Sequence, residues 1–254
     1  MSSIKNNIKP KFMSAEEAAG QISSFDRVVL GNFCAEPYII PEKIMERAHS
    51  LDGVKFFHCT PFGNFQEKYL IPGMEKHIQC VTPFSGRKKG PRHAISKGKG
   101  IFVPLSLSRM PSFLTEKYDA NVLITMVSPP NKDGLLSLGV SVDFARALLE
   151  KPVEKLIVEI NPNMPVTMGD SFFHISQVDI AVETDSPLFE FEQKKPSEIE
   201  NRIGKYVASL VEDGATVQIG FGNVSEATVV HLMDKKDIGI HSEMIPDGII
   251  DLAN

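Results

Sequence analysis

The chain has 254 residues, of which 42% are hydrophobic and 23% are charged, and its formal net charge at pH 7 is −5. This composition is typical of a globular protein with room for one large domain or two smaller ones. The negative net charge argues against a broad nucleic-acid surface, which requires clustered lysine and arginine.

The composition also limits location and cofactors. No apolar run approaches the roughly 18 residues that a membrane helix needs. The three cysteines are odd in number, lack CxxC spacing and follow no signal peptide, which favours a cytoplasmic location. The histidines show no ligand spacing, so no metal site is expected. The basic run at 87–93 is interpreted first as a solvated loop and second as a phosphate site.

Helices and strands alternate along the first 183 residues. A capping box formed by Ser14 and Glu17 predicts a helix that starts there and reaches Ile22. The cleanest buried strand is 121–127, and the turn formers at 128–134 end it. The other predicted strands are 26–30, 53–60, 77–82, 100–103, 135–140, 155–160 and 178–183, and the other predicted helices are 41–49, 91–97, 110–117 and 143–150.

The segment 185–196 crowds Pro, Glu and Lys together and is the predicted linker between two domains, 1–195 and 196–254. The alternation predicts an α/β fold with an open, mainly parallel sheet and flanking helices. After the linker, one helix at 197–210 and one βαβ unit remain. A parallel sheet needs more strands than that, so the second α/β domain is expected to be truncated after its first βαβ unit, as a fragment or with another chain supplying the rest.

The βαβ unit is the predicted centre of function. It comprises a strand from Val217, a glycine bend at 220–224, a helix at 225–236 and a strand from Ile238 that leads to Glu243. In such units the carboxyl ends of the strands border one crevice. We therefore expect the backbone of the bend and the Glu243 side chain to face the same ligand.

Two chemistries fit a glycine bend followed by an acid. The first is dinucleotide binding, with Gly220 and Gly222 at the pyrophosphate and Glu243 on the ribose, although Ser225 replaces the third glycine of that fingerprint. The second is covalent catalysis by a carboxylate, with the amides of the bend stabilising an oxyanion. Spacing alone leaves both open.

The segment 239–252 resembles the catalytic segment of the acetyl-CoA hydrolase/transferase family, particularly its 4-hydroxybutyrate and butyrate:acetate CoA-transferase branch. Further segments that resemble this family in order are 127–134, 137–144, 159–165, 169–171 and 218–222. The resemblance implies a CoA-transferase fold and the second of the two chemistries.

By this resemblance Glu243 is the catalytic nucleophile. The CoA-binding and oxyanion loop comprises Gly220, Phe221, Gly222, Asn223 and Val224. The implied reaction moves CoA between an acyl-CoA and a short-chain carboxylic acid by a ping-pong mechanism through a glutamyl-CoA thioester, without a metal. Water in place of the acceptor acid would make the same site an acyl-CoA hydrolase.

The resemblance also implies partners for the chain. Family members carry a full second domain that closes over the glutamate, so activity is expected to require that part. The alternatives are an inactive half of an enzyme and, with less support, a dinucleotide-binding module. A homodimer or a complementary C-terminal chain is expected. Glu36, Asp170 and Ser171 are further candidates for lining the carboxylate side of the site.

Overall fold

The structure is a computed structural model that describes residues 9–84, 89–191 and 195–253. Two compact units divide the chain, Met1–Glu190 and Phe191–Asn254, here called unit 1 and unit 2. The boundary between them falls inside the segment 185–196. The predicted basic run at 87–93 lies partly outside the described residues, since residues 85–88 are not among them.

Unit 1 is built on an eight-stranded sheet in which every neighbouring pair of strands is parallel. This confirms the predicted parallel α/β architecture. The strands of the sheet are β1 (Lys11–Phe12), β2 (Arg27–Leu30), β3 (Val54–Phe57), β4 (Ile78–Thr82), β5 (Ile101–Phe102), β6 (Val122–Val127), β8 (Lys155–Ile160) and β10 (Ile180–Glu183). Their spatial order is β1-β10-β8-β6-β2-β3-β4-β5.

The central strands are buried because helices cover both faces of this sheet. All six residues of β6 are buried, and alternate residues point to opposite faces, so Val122 and Ile124 belong to one apolar cluster while Leu123 and Val127 belong to another. This explains why β6 is apolar at every position except Thr125 and does not alternate between polar and apolar residues.

Three helices of unit 1 begin with a recognisable signal: α1 has a side-chain cap, and α2 and α5 carry a proline in their first turn. Ser14 accepts a hydrogen bond from the Glu17 amide, and Glu17 accepts one from the Ser14 amide, which completes the predicted capping box. The helices are α1 (Ala15–Ala19), α2 (Ile40–Glu46), α3 (Met74–His77), α4 (Lys89–Ser96), α5 (Met110–Ser112, continued by a wider helical turn to Lys117) and α6 (Ala145–Glu150).

A second, antiparallel sheet in unit 1 differs from the prediction. Its strands are β7 (Leu135–Ser137) and β9 (Phe172–His174), with Leu136 opposite Phe173. The predicted strand 135–140 thus ends early, because Gly139 adopts a positive φ of 65° and turns the chain. No pattern in the sequence distinguishes the three residues of β9 from a loop.

Unit 2 contains α7 (Glu198–Ser209), β11 (Thr216–Val217), α8 (Asn223–Val230), β12 (Gly239–Ile240) and α9 (Gly248–Ala253). The strands β11 and β12 pair in parallel, as a βαβ unit requires. Helix α7 begins at the predicted Ser197–Glu200 capping box. Helix α8 differs from its prediction at both ends, since it begins at Asn223 and ends at Val230.

Close packing joins α7 to α8 at Gly204. A Cβ atom at this position would lie 2.7 Å from the backbone carbon of Ala227 and 2.8 Å from the backbone nitrogen of Thr228. Only a glycine therefore allows the two helices to approach this closely. Among the described residues of the whole chain, no helix is both long enough and apolar enough to cross a membrane.

Candidate active site

Glu243 lies in a bend just after β12, in unit 2. The residue before it fixes its position. The Ser242 hydroxyl accepts a hydrogen bond from the Ile219 amide at 3.1 Å and donates one to the Ile219 carbonyl at 2.7 Å. Because Ile219 directly precedes Gly220, these two bonds hold the start of the glycine bend beside the residue that precedes Glu243.

The glycine bend presents backbone at the start of α8. Gly222 has a φ of 133°, which disfavours residues with a Cβ, and its carbonyl accepts from the Glu226 amide as α8 begins. Within the described part of the chain, the amides of Gly220 and Gly222 donate no hydrogen bond. Unpaired amides at the positive end of a helix are suited to an anion or a developing oxyanion.

The side chains of the predicted loop have separate surroundings. Phe221 is 56% exposed and packs edge-to-face on Phe191, with ring centroids 4.4 Å apart. Asn223 and Val224 lie in the first turn of α8 and not in the loop, because Gly222 already serves as the cap of that helix. The Asn223 side-chain amide donates to the Glu200 carboxylate at 3.0 Å, which ties α8 to the start of α7.

Glu200 is a carboxylate stabilised in its ionised form. Hydrogen bonds from the Ser197 backbone and side chain and from Asn223 lower the pKa of Glu200. The Asn223 side chain therefore has a charged protein partner, and we assign it a structural contact. That contact involves residues 23 positions apart, which no local pattern in the sequence could reveal.

The Glu243 side chain is exposed and not enclosed by a crevice within unit 2. The prediction placed it in a crevice because the carboxyl ends of the strands of a βαβ unit border one crevice in a complete sheet. In the described residues of unit 2 the sheet has only two strands, so little protein is present to enclose a side chain beyond its carboxyl end.

We expect replacement of Ser242 by alanine to weaken the contact between the ends of β11 and β12. The variant loses both bonds to Ile219 and should destabilise unit 2 by about 1–2 kcal/mol. Hydrogen exchange of the Ile219 amide should accelerate roughly tenfold. Ser209→Ala, which removes an exposed hydroxyl bonded to the Tyr206 carbonyl, is the matched control. Unchanged exchange at Ile219 would show that Ser242 does not hold the two strand ends together.

In unit 1, the strands β3, β4 and β5 lie on one side of β2, and the later strands β6, β8 and β10 lie on its other side. The order of strands therefore reverses between β2 and β6. In doubly wound sheets the carboxyl edge at this point is where ligands bind. Asn32, just after β2, donates through its side-chain amide to Asp143 and accepts from the Thr60 amide at 2.9 Å. Burial raises the pKa of Asp143, while its bond from Asn32 acts in the opposite direction.

Two further buried polar residues, Glu36 and His58, follow the strands β2 and β3. Glu36 is completely buried and accepts from the amides of Phe62 and Gly63 at 2.5 and 2.7 Å. The His58 ring bonds the Tyr69 hydroxyl through Nε2 at 3.1 Å, while its Nδ1 has no partner within the described residues. Burial lowers the pKa of His58 from 6.5 to about 3, so the ring is neutral at physiological pH.

The buried His58 should make the protein sensitive to acid. In the unfolded chain the His58 ring has its ordinary pKa of 6.5, whereas in the folded chain its pKa is about 3. Between these values only the unfolded chain binds this proton. The contribution of His58 to stability therefore rises with pH across this window and falls by about 2–3 kcal/mol between pH 6 and pH 4. Glu159, whose pKa burial raises to about 7, acts in the opposite direction over this range, so the His58 contribution is the difference between the wild type and His58→Phe. Denaturant titrations at both values measure the loss for each protein. His58→Phe should reduce it, whereas His93→Gln, at an exposed position, should leave it unchanged.

The other candidates from the sequence have structural partners. Ser171 is buried, lies 3.2 Å from the Ser137 hydroxyl and donates to the Thr167 carbonyl at 2.5 Å. Asp170 is exposed and pairs with Arg146 at 3.0 Å. In the described residues, no three His, Cys, Asp or Glu side chains are grouped so that they could hold a metal.

Comparison with known proteins finds one matching family model. The acetyl-CoA hydrolase/transferase N-terminal domain matches residues 3–190. The chain is 36% identical over 246 residues to the 4-hydroxybutyrate coenzyme A transferase of Clostridium kluyveri, covering 96% of this chain and 56% of that protein. It is 31% identical over 262 residues to the succinyl-CoA:cyclohexane-1-carboxylate CoA transferase of Geobacter metallireducens, covering 99% of this chain and 58% of that protein.

Among solved structures, RipA from Yersinia pestis is similar in fold. The two superpose with a TM-score of 0.86 at 27% identity, over 96% of this chain and 58% of RipA. The chain thus spans less than two thirds of the length of each of these relatives.

Proposed function

Because the chain belongs to the acetyl-CoA hydrolase/transferase family, we propose that it takes part in moving CoA between an acyl-CoA and a small carboxylic acid. Glu243 is the nucleophile of this proposal. The observation that carries it is the pair of hydrogen bonds between Ser242 and Ile219, which hold the residue next to Glu243 against the start of the glycine bend. The Glu243 carboxylate and the backbone donors of the glycine bend thus follow the carboxyl ends of two neighbouring parallel strands, β12 and β11.

The first half-reaction proceeds in two steps. The Glu243 carboxylate attacks the thioester carbonyl and the carbon–sulfur bond breaks. This step releases the CoA thiolate and forms an acyl-glutamyl anhydride. The thiolate then attacks the glutamyl carbonyl of this anhydride and expels the original acyl group as a free carboxylate. A glutamyl-CoA thioester remains on the protein.

The second half-reaction repeats these steps in reverse with the acceptor. The acceptor carboxylate attacks the glutamyl-CoA thioester, which releases the thiolate and forms a new anhydride. Attack by the thiolate on the acceptor carbonyl yields the new acyl-CoA and regenerates Glu243. The covalent intermediate divides an exchange between two substrates into steps that each need one bound substrate.

The bend supplies charge stabilisation in this scheme. Each attack on a carbonyl produces a negatively charged oxygen in a tetrahedral intermediate. The amides of Gly220, Phe221 and Gly222 are the proposed donors, because they precede the N-terminus of α8. Removing one such donor from an acyl-transfer enzyme typically costs about 10²–10³ in rate. No step requires a metal.

Hydrolysis is the second candidate for the same site. The exposed position of Glu243 favours it, since water can reach a glutamyl thioester there. Water attack would release free CoA and restore the glutamate. The dinucleotide-binding alternative has less support, because the relatives that match over nearly the whole chain are named as CoA transferases.

We propose further that the active assembly contains more protein than this chain, as a homodimer or with a complementary C-terminal part, and that it works in the cytoplasm. The relatives are nearly twice as long as the region they share with this chain, which supports a requirement for the remaining part.

The decisive experiment is detection of the covalent intermediate. The chain is incubated with acetyl-CoA or butyryl-CoA, and peptides are mapped by mass spectrometry, with and without borohydride to reduce the thioester. A CoA adduct on the Glu243 peptide is the expected result. An adduct that forms only after addition of the segment that the relatives carry outside the match identifies the chain as an incomplete half. An adduct at another residue, or at none under both conditions, rejects the mechanism.

A further inference from the structure

Glu159 is a completely buried carboxylate at the penultimate position of β8. Its oxygens accept hydrogen bonds from three consecutive backbone amides, those of Tyr38, Ile39 and Ile40, at 2.7, 2.9 and 2.7 Å. No lysine, arginine or histidine in the described part of the chain forms an ion pair with it. Only neutral donors therefore compensate for the loss of water around this charge.

Two chain segments lie over this end of the sheet. Glu159 lies opposite Met126 of β6, so both side chains point to the same face of the sheet. The segment 38–40 reaches that face through its three amides. Met126 belongs to a buried apolar cluster against which Leu188 packs, which brings the segment 185–190 to the same place. Segments that are far apart in the sequence thus meet beside one buried charge.

Three aromatic rings join the two segments. The Phe189 ring stacks on those of Tyr38 and Phe62, with centroid distances of 5.3 and 5.8 Å and interplanar angles of 28° and 25°. These three rings are here called the aromatic clamp. The Phe62 amide donates to Glu36 and the Tyr38 amide to Glu159, so each partner of Phe189 has its backbone bonded to a buried carboxylate. Displacement of the 38–40 backbone would therefore also unstack Phe189.

Side-chain amides that follow β8 hold the segment 185–190 further. Asn161 donates to the Ser186 carbonyl at 2.8 Å, and Asn163 donates to the Asp185 carbonyl at 2.9 Å. Asn161 lies only two residues after Glu159. Because these contacts adjoin the aromatic clamp, we expect the two segments to open as one cooperative unit.

The charges near Glu159 have partners of their own. Strand β6 carries no titratable residue. In α2, Lys43 pairs with Glu16 at 2.9 Å and Glu42 pairs with Lys68 at 2.8 Å. Burial and the three amides, and not a neighbouring charge, therefore set the pKa of Glu159. The titratable groups on the elements packed against it are Glu36, Tyr38, Glu42, Lys43, Glu46, Glu183 and Asp185.

We propose that the segments 38–40 and 185–190 form a pH-sensitive latch, which opens as one unit at the carboxyl end of β8 and is favoured to open when Glu159 ionises. Opening lets water reach the carboxylate and so relieves the cost of burying its charge. In the protonated state this cost is absent, and the latch stays closed. The latch controls the mobility of the chain that leaves unit 1, and it does not rest on the proposed CoA transfer.

The direction of the pH dependence follows from the two states of the latch. Burial raises the pKa of Glu159 in the closed latch to about 7, whereas a hydrated glutamate has a pKa of 4.5. The closed latch therefore binds the proton more tightly, and opening releases it. The preference for the closed state is complete below pH 4.5 and is lost as the pH rises to about 7. Between pH 5 and pH 8 the opening equilibrium should increase by roughly 50- to 100-fold.

Hydrogen exchange of the Ile39 and Ile40 amides, corrected at each pH for the intrinsic exchange rate, measures this opening in the full 254-residue chain. Protection of both amides in the wild type should fall by that factor from pH 5 to pH 8. In Glu159→Gln, which cannot ionise, protection should not change with pH. The Ile175 amide, which donates to the Gly134 carbonyl at 2.8 Å and so has no titratable acceptor, is the internal control.

The variant Phe189→Leu, which keeps Glu159, tests whether the two segments open together. Loss of its stacking should lower the protection of the Ile39 and Ile40 amides about tenfold at every pH and leave their pH dependence intact. Phe191→Leu changes a ring that stacks on Phe221, outside the aromatic clamp, and should leave protection unchanged.

Three outcomes would overturn the proposal: protection that is constant or rises with pH in the wild type, the same pH dependence in Glu159→Gln, or no effect of Phe189→Leu. Because exchange is measured without acyl-CoA, failure of the latch is distinguishable from failure of the glutamyl-CoA mechanism.

Discussion

Replacing Glu243 by glutamine is expected to abolish the formation of the CoA adduct and to lower the rate of CoA transfer by at least about 10⁴-fold. Loss of a covalent nucleophile has effects of this order, because every later step of the reaction depends on the first bond. Glutamine preserves the size and polarity of the side chain, so the fold should be unchanged. The rate should be measured in a preparation that transfers CoA with the wild-type chain.

The control for this variant is Glu212→Gln, at an exposed position in the same unit. It should transfer CoA at the wild-type rate. A shortened acid, Glu243→Asp, should retain the charge but withdraw the carboxylate by one methylene, and an intermediate rate is expected. If Glu243→Gln still forms an adduct at the wild-type rate, another group is the nucleophile and the proposed mechanism is wrong.

Replacing Glu159 by alanine is expected to be the most destabilising of the substitutions considered in unit 1. This carboxylate, at the end of β8, is completely buried. It accepts hydrogen bonds from the amides of Tyr38, Ile39 and Ile40 at 2.7, 2.9 and 2.7 Å, and so holds the start of α2 against the sheet. Alanine would leave these donors without their acceptor. A loss of about 3–5 kcal/mol is expected in denaturant titrations at pH 8.

The carboxylate itself is costly to bury. Burial raises the pKa of Glu159 to about 7, against the opposing effect of the three amides. At pH 8 the group is ionised and all three bonds are at full strength. Glu159→Gln keeps one oxygen acceptor and should lose less than the alanine variant. Glu183→Ala, at an exposed position ending the neighbouring strand β10, should be nearly neutral. Equal effects of Glu159→Ala and Glu183→Ala would disprove the role of the three amides.

The sequence allowed prediction of the parallel sheet because its strands are buried on both faces. The run that became β6 is apolar at every position except Thr125, and turn formers mark its end. The sheet formed by β7 and β9 could not be predicted, since β9 is three residues long and its pairing with β7 depends on contacts across the fold. The helix α3 and the exact start of α8 were missed for a similar reason, as glycines at residues 73 and 222 act as caps only through their positive φ.

The candidate site was predictable only in outline. An acid after an apolar strand and a glycine bend after its neighbour could be recognised from order alone. The role of Ser242 could not, because a serine beside a strand end has no pattern that identifies its hydrogen-bond partners. The contact of Asn32 with Asp143 joins residues 111 positions apart and depends on the order of β2 and β6 in the sheet.

The pairing of β1 with β10 has a consequence for biosynthesis. Lys11 lies opposite Ile180 and Phe12 opposite Ala181, so one edge of the sheet joins the beginning of unit 1 to its end. On the ribosome, β1 has no partner until β10 has emerged, which at usual elongation rates takes roughly ten to thirty seconds. The nascent chain therefore holds an unpaired strand through nearly the whole synthesis of unit 1, and a chaperone that shields this segment would have that long to act.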